Sequence, residues 1–303
     1  MKSKLLLYVS LIVDTLIALS KFIAAAITGS SSMFAEGIHS VIDACSQLLL
    51  LWGVKTSQRK ADESRPFGYG KELYFWSFIV SLIIFILGGC ISFYEGLMRL
   101  EKPVSNQNQF WSYLILTVAF LFTMVSLVTA LKAFNKQRGD IPFFTAVMKS
   151  KDPSTFIVLL GDVGDLLGLI IAFLGVFLGQ LLHQPYFDGI ASMVIGIIMI
   201  AISLLLVRES KSLLMGETTS RKTLRKIVKL TESDIAVLKV KRHFSMYLSP
   251  EEVLLQLNTV FKDDLTTQQI TDAIERIIKT IQIEFPKIKQ IFIEPVADKA
   301  TRR

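Results

Sequence analysis

The chain has 303 residues, of which 51% are hydrophobic, with mean hydropathy +0.50 and a net charge of +7. That is too apolar for an ordinary soluble protein. The positive balance does not point to nucleic acid: most basic residues before position 212 flank apolar runs, and no aromatic–basic RNA motif or zinc-finger spacing is present.

Six apolar runs follow one another, at about 5–28, 33–54, 73–98, 109–134, 154–181 and 186–207. Each is long enough to cross a bilayer, so residues 1–207 are expected to form a six-helix transmembrane bundle. The first run exceeds the length of a signal-peptide core and lacks a cleavage site, so it reads as a retained span. Gly29–Ser32 and His183–Pro185 are gaps so short that the runs they join must be antiparallel neighbours. Cys45 and Cys90 both lie inside apolar runs, without a CxxC, and read as small buried hydrophobes.

Lysine and arginine set the orientation. Lys2 and Lys4 precede the first run; Lys55, Arg59, Lys60, Arg65 and Lys71 lie between the second and third; Lys132, Lys136, Arg138, Lys149 and Lys151 surround the gap between the fourth and fifth. The other side has only Arg99 and Lys102 before the tail. The positive-inside rule puts both termini in the cytoplasm, in a multi-pass protein expected in the cell (inner) membrane. The stretch Ser64–Glu72 is dense in turn formers, has no phosphate-loop spacing, and reads as a tight cytoplasmic connection. Glu72 at its end can recruit a cation to the cytoplasmic entrance.

Ionisable groups sit where the bilayer penalises them. His39 and Asp43 in the second run are four residues apart, hence on one helix face, and Glu36 leans onto the same face. Counting ~1.5 Å per residue from the span ends puts Asp14 about 14 Å in, Asp43 about 15 Å, Asp162 about 12 Å and Asp165 about 16 Å. The hydrocarbon core is ~30 Å thick, so these carboxylates share a level near the midplane. Intramembrane ionisable groups need a shared reason, and a divalent cation supplies one. His39, Asp43 and Asp162 provide three ligands of a tetrahedral set, with Asp165, Asp14 or water as the fourth. A histidine among carboxylates favours zinc, iron or manganese over magnesium and calcium. Lys21 is expected to snorkel to the nearer helix end or to pair with one of these carboxylates.

After Val207 the composition changes, and 208–303 reads as a second, soluble domain. A basic helix over Ser220–Thr231 precedes strands at Ile235–Tyr247 and Glu252–Phe261. A helix over Thr266–Phe285 carries the stripe Ile270, Ala273, Ile274, Ile277, Ile278 and Ile281, and Ile288–Pro295 is a last strand. The order α-β-β-α-β predicts a small two-layer α+β domain, short enough for docking on a second copy to help it.

Several of these segments together resemble the cation diffusion facilitator family of metal–proton antiporters. They are Thr28-Gly29-Ser30, Ala35-Glu36-Gly37-Ile38-His39-Ser40-Val41-Ile42-Asp43, Arg65-Pro66-Phe67-Gly68-Tyr69-Gly70-Lys71, Leu159-Leu160-Gly161-Asp162 and Tyr247-Leu248-Ser249-Pro250-Glu251-Glu252. The resemblance implies a homodimer with six spans and a cytoplasmic ferredoxin-like domain per subunit, and a tetrahedral site built by spans two and five. It implies export of a divalent metal cation, zinc first and iron, manganese, cobalt or cadmium after it, in exchange for protons by alternating access. No prosthetic group and no enzymatic activity go with it. One departure stands out: the family usually offers His or Asp four residues before the span-five aspartate, where this chain has Val158. Asp165, one turn after Asp162, is the substitute ligand. The tail has a single histidine, His243, and no cysteine, so it is expected to be structural.

Two other readings fit parts of the sequence. Asp162-Val163-Gly164-Asp165 is similar to the Gly-x-Gly-Asp signature of intramembrane aspartyl proteases, with Asp14 as second aspartate. That reading replaces a signature glycine and leaves His39 and the tail without a role. A membrane metal sensor without transport is the other.

Overall fold

A computed structural model describes residues 2–28, 31–101, 109–138, 150–184 and 186–297. Two compact units divide the chain: Met1–Lys60 with Glu72–Lys211, and Ala61–Lys71 with Ser212–Arg303.

The first unit is helical. Its elements are α1 (Lys2–Thr28), α2 (Ser31–Ser57), α3 (Glu72–Glu101), α4 (Gln109–Arg138), α5 (Pro153–Leu181) and α6 (Tyr186–Met215), the last turn of which belongs to the second unit. Among the described residues, four stretches are long and apolar enough to cross a membrane: α3, Tyr113–Lys132 of α4, α5 and α6. The start of α5 is fixed by sequence: Pro153 takes the first helical position, and the Asp152 carboxylate accepts from the Ser154 backbone N–H at 3.2 Å. Val13 and Ile17 of α1 pack with Ala119 and Phe122 of α4 and Leu169 of α5, so these three helices share one apolar seam.

Helix α3 is not the uninterrupted α-helix that its apolar run suggests. Ile84–Cys90 is a π-helical stretch. It contains Gly88 and Gly89, weak helix formers, and α6 comes so close there that a Cβ on Gly89 would lie 2.6 Å from Ile200 Cγ1. The same approach recurs along the pair. A Cβ on Gly96 would meet the Met193 backbone nitrogen at 2.6 Å, and one on Gly196 would meet the Phe93 nitrogen at 2.5 Å. Small residues allow this backbone contact in an apolar medium. Arg99 of α3 closes the pair by donating to the Asp188 carboxylate of α6.

The second unit is a small helix-on-sheet layer. It contains α7 (Arg221–Glu232), β1 (Val237–Ser249), β2 (Glu252–Phe261), α8 (Thr267–Glu284) and β3 (Ile288–Pro295). The three-stranded sheet has the order β1-β2-β3, with β1 antiparallel and β3 parallel to β2. Alternation on β2 sends Val253, Leu255 and Leu257 to one face, where they join Leu224 and Ile227 of α7 and Ala273, Ile277 and Ile281 of α8. Each such valine, leucine or isoleucine contributes about 1.5–3 kcal/mol by leaving water. Thr266 and Gln269 form a capping box at the start of α8.

The loop 61–71 belongs to this second unit rather than serving as a plain connection. The Asp62 carboxylate gathers the loop by accepting from Tyr69 Oη at 2.6 Å, Ser64 Oγ at 2.7 Å and the Arg65 backbone N–H at 2.9 Å. Gly70 lies so close to β1 that a Cβ there would be 2.5 Å from the Leu248 carbonyl oxygen. Phe67 stands edge-on to Phe292 of β3, with ring centroids 6.4 Å apart.

Candidate metal centre

Each acidic group expected near the midplane is carried by a long helix of the first unit: Asp14 by α1, Asp43 by α2, Asp162 and Asp165 by α5. Asp165 feels the charges of Asp43, Asp162, Asp14 and Lys21, so these groups from three helices are within electrostatic reach of one another. The arrangement is a neighbourhood rather than a closed cage. Among the described residues, no three His, Cys, Asp or Glu side chains stand close enough to enclose an ion together. His39 and Glu36 lie on α2, one and nearly two turns before Asp43, and their side chains are outside the described residues.

Asp162 is the buried member, 6% exposed, whereas Asp165 one turn on is open at the helix flank. Ser126 of α4, itself 1% exposed, donates its hydroxyl to Asp162 Oδ2 at 2.8 Å. That bond fixes one carboxylate oxygen and leaves the other directed by default. Beside Asp162 there is room: a Cβ on Gly161 would meet nothing within 4 Å among the described residues. Val158 is buried in apolar packing and offers no donor atom.

Lys21 turns towards α2 rather than snorkelling, and its ammonium donates to Ser40 Oγ at 3.0 Å. Gln47, one turn beyond Asp43 on α2, keeps its Oε1 buried with no hydrogen-bond partner among the described residues. An orphaned carbonyl oxygen is costly in a dry interior and is a natural cation ligand. Ser126, Ser40 and Gln47 were not singled out from sequence as functional. Serines in apolar helices are common, and only the i, i+4 spacing of Gln47 from Asp43 carried a signal. Glu72 opens α3, where its carboxylate accepts from Trp76 Nε1 at 3.1 Å. In the tail, His243 is exposed on β1 between Arg242 and Phe244, with Lys241 beside them; neighbouring cations disfavour a divalent ion there.

The family model of the cation efflux transmembrane domain matches residues 7–215. The chain belongs to the cation diffusion facilitator family. It is 32% identical over 231 residues to the proton-coupled zinc antiporter SLC30A9, mitochondrial, of Homo sapiens, covering 76% of this chain and 41% of that one. It is 27% identical over 213 residues to metal tolerance protein C4 of Arabidopsis thaliana, covering 69% of this chain and 46% of the relative. The manganese efflux system protein MneP of Bacillus subtilis is 22% identical over 293 residues, 94% of this chain and 93% of its own. The chain thus spans about two fifths of the length of the zinc antiporters it matches. As a cation diffusion facilitator it is a multi-pass membrane protein of a transporter family, not an enzyme. The matched region includes all of α2 and α5, the two helices that carry His39, Asp43, Asp162 and Asp165.

Proposed function

We propose that this chain exports a divalent transition-metal cation from the cytoplasm in exchange for protons, with zinc the first candidate and manganese, iron, cobalt and cadmium behind it. The cation is held by His39 and Asp43 of α2 and by Asp162 and Asp165 of α5, with Asp14 and Glu36 as alternative ligands and Glu72 at the cytoplasmic entrance. The working unit is a homodimer of subunits with six spans, cytoplasmic termini and a ferredoxin-like tail, in the cell membrane. The observation that supports this reading is that Asp165 feels the charges of Asp43, Asp162, Asp14 and Lys21, carried by three helices. One nitrogen among several oxygens suits zinc and manganese alike, in keeping with relatives whose names carry one metal or the other.

Exchange follows from electrostatics. Carboxylates that share a dry site repel one another, and either a divalent cation or protons relieve that repulsion. Ligands bind metal only in their deprotonated forms, so metal and protons compete for the same atoms. Alternating access then lets metal leave on the side where protons arrive. The test is metal uptake into proteoliposomes with and without a pH gradient, using zinc, manganese, iron, cobalt and cadmium in turn. An acidic lumen is expected to accelerate uptake, and Asp43→Asn is expected to abolish metal uptake and proton release together. Metal movement at the same rate without proton movement would refute antiport.

A further inference from the structure

Helix α7 carries a charge pattern that the transport site does not use. Its exposed residues include Arg221, Lys222, Arg225, Lys226 and Lys229. At 100° per residue, these five side chains fall within an arc of about 140°. The opposite face is pinned: Leu224, Ile227 and Thr231 are buried against the sheet and α8, and the Ser220 hydroxyl caps the first turn by accepting from the Thr223 N–H at 3.1 Å. The helix therefore cannot roll its cations inward. None of the five side chains takes part in an ion pair or hydrogen bond among the described residues. The single acid of the helix, Glu232, falls near the edge of this arc in the last turn, where its carboxylate is engaged in accepting from the Val240 backbone N–H at 3.0 Å.

The position of this face in the chain points to its partner. The last turn of α6, which is long and apolar enough to cross a membrane, lies in the same compact unit as α7. Only residues 216–220 separate the two helices, so α7 begins within about 20 Å of the end of α6. That linker is stapled to β1: the Tyr247 N–H donates to the Glu217 carbonyl at 3.0 Å, and the Thr219 N–H donates to Ser245 Oγ at 3.1 Å. A fixed cationic helix, its basic side chains without partners among the described residues, follows a helix long and apolar enough to cross a membrane, which is the arrangement that anionic lipid surfaces attract.

We propose that the face formed by Arg221, Lys222, Arg225, Lys226 and Lys229 of α7 docks on the anionic lipid headgroups of the leaflet at which α6 ends. The bilayer is present wherever the chain is inserted, at a local concentration that no soluble acidic partner matches. The proposal stands apart from the transport reading, because it needs α6 to cross the membrane and nothing from the metal site.

The experiment uses the full chain in lipid nanodiscs of phosphatidylcholine alone or with phosphatidylglycerol added, and reads hydrogen–deuterium exchange over residues 221–232. Exchange is expected to slow by ~10-fold or more in the anionic discs and to recover when salt is raised to ~0.5 M. The combination Lys222→Glu, Arg225→Glu and Lys226→Glu is expected to abolish the slowing while exchange in β2 stays unchanged. If that variant loosens β2, the corresponding glutamine substitutions replace it, with the same expectation. Equal exchange in neutral and anionic discs overturns the proposal. So does equal protection in both, which would mean that a second copy or another segment covers the helix. Protection in neutral discs by soluble glycerol phosphate overturns it in favour of a free-anion site.

Discussion

Removing one hydroxyl tests whether Asp162 is a ligand. Ser126 and Asp162 are 1% and 6% exposed, and their hydrogen bond is 2.8 Å long. Ser126→Ala deletes the donor, adds no bulk, and leaves the carboxylate free to rotate. Loss of a group that orients a metal ligand costs roughly 10- to 100-fold in metal affinity, or about 1.4–2.8 kcal/mol. The assay is calorimetric titration of the detergent-solubilised protein with zinc or manganese, followed by proteoliposome flux. Ser126→Thr keeps the hydroxyl and is expected to retain most of the affinity. Ser203→Ala is the control: Ser203 is equally buried, but among the described residues its hydroxyl bonds only to the Ile200 carbonyl, so affinity is expected to stay unchanged. If Ser126→Ala binds metal within about twofold of the parent, against the 10- to 100-fold expected, the bond does not orient a ligand, and Asp162 loses its place in the site.

Three further outcomes are expected. Asp165→Asn weakens metal binding while Val158→Ala does not, in the same titration; full affinity in Asp165→Asn moves the fourth ligand to Asp14 or Glu36. The Asp62 carboxyl is held down at about 2, first by the Tyr69 hydroxyl, then by the Ser64 hydroxyl and the Arg65 N–H. A lowered folded-state value stabilises the loop above the ordinary carboxylate range and is lost as pH falls through about 2. Hydrogen exchange over 61–71 is therefore expected to be flat from about pH 8 to about pH 4, once corrected for intrinsic rates, and fast throughout in Asp62→Ala. Gly216 has φ +107°, and a Cβ there would lie 2.4 Å from Met246 Sδ. Gly216→Ala is expected to cost the tail about 1–3 kcal/mol, read as a lower melting temperature.

The helices and strands were legible because their signals are local. Thr266 and Gln269 announce the start of α8, and alternation of Val253, Leu255 and Leu257 announces β2. The tail helix expected over 220–231 is found at Arg221–Glu232, with Ser220 outside it as the cap. What was not legible depends on rotation of one helix against another. Nothing in the sequence marks Ser126 among the serines of apolar runs, yet its position on α4 aims it at Asp162. Lys21 was open between the membrane edge and an internal partner, and its contact with Ser40 decides for the interior. The π-helical stretch in α3 was hidden for a similar reason. Gly88 and Gly89 weaken the local preference, but the approach of Ile200 is what uses that weakness. The loop 61–71 reads as a turn because it is one, and its membership of the tail rests on contacts with Leu248 and Phe292, more than 170 residues away.

The inward position of Lys21 bears on how the proposed site manages charge. Asp14, Asp43, Asp162 and Asp165 together carry four negative charges when ionised, and the Lys21 ammonium opposes one of them. The remaining three exceed what one divalent cation cancels, so the loaded site stays an acceptor for at least one proton or hydrogen-bond donor. Ser126 already fills part of that role at Asp162. Without Lys21 the surplus would be larger, and repulsion among neighbouring carboxylates grows as the local dielectric falls. A lysine side chain turned into the cluster therefore lets the proposed site hold more carboxylates than a single metal needs. Those extra carboxylates leave positions for protons while metal binds elsewhere in the cluster. Val158 offers no donor atom, and Asp165 one turn beyond Asp162 feels the charges of Asp43, Asp162, Asp14 and Lys21, so the proposed arrangement can place its extra acid there.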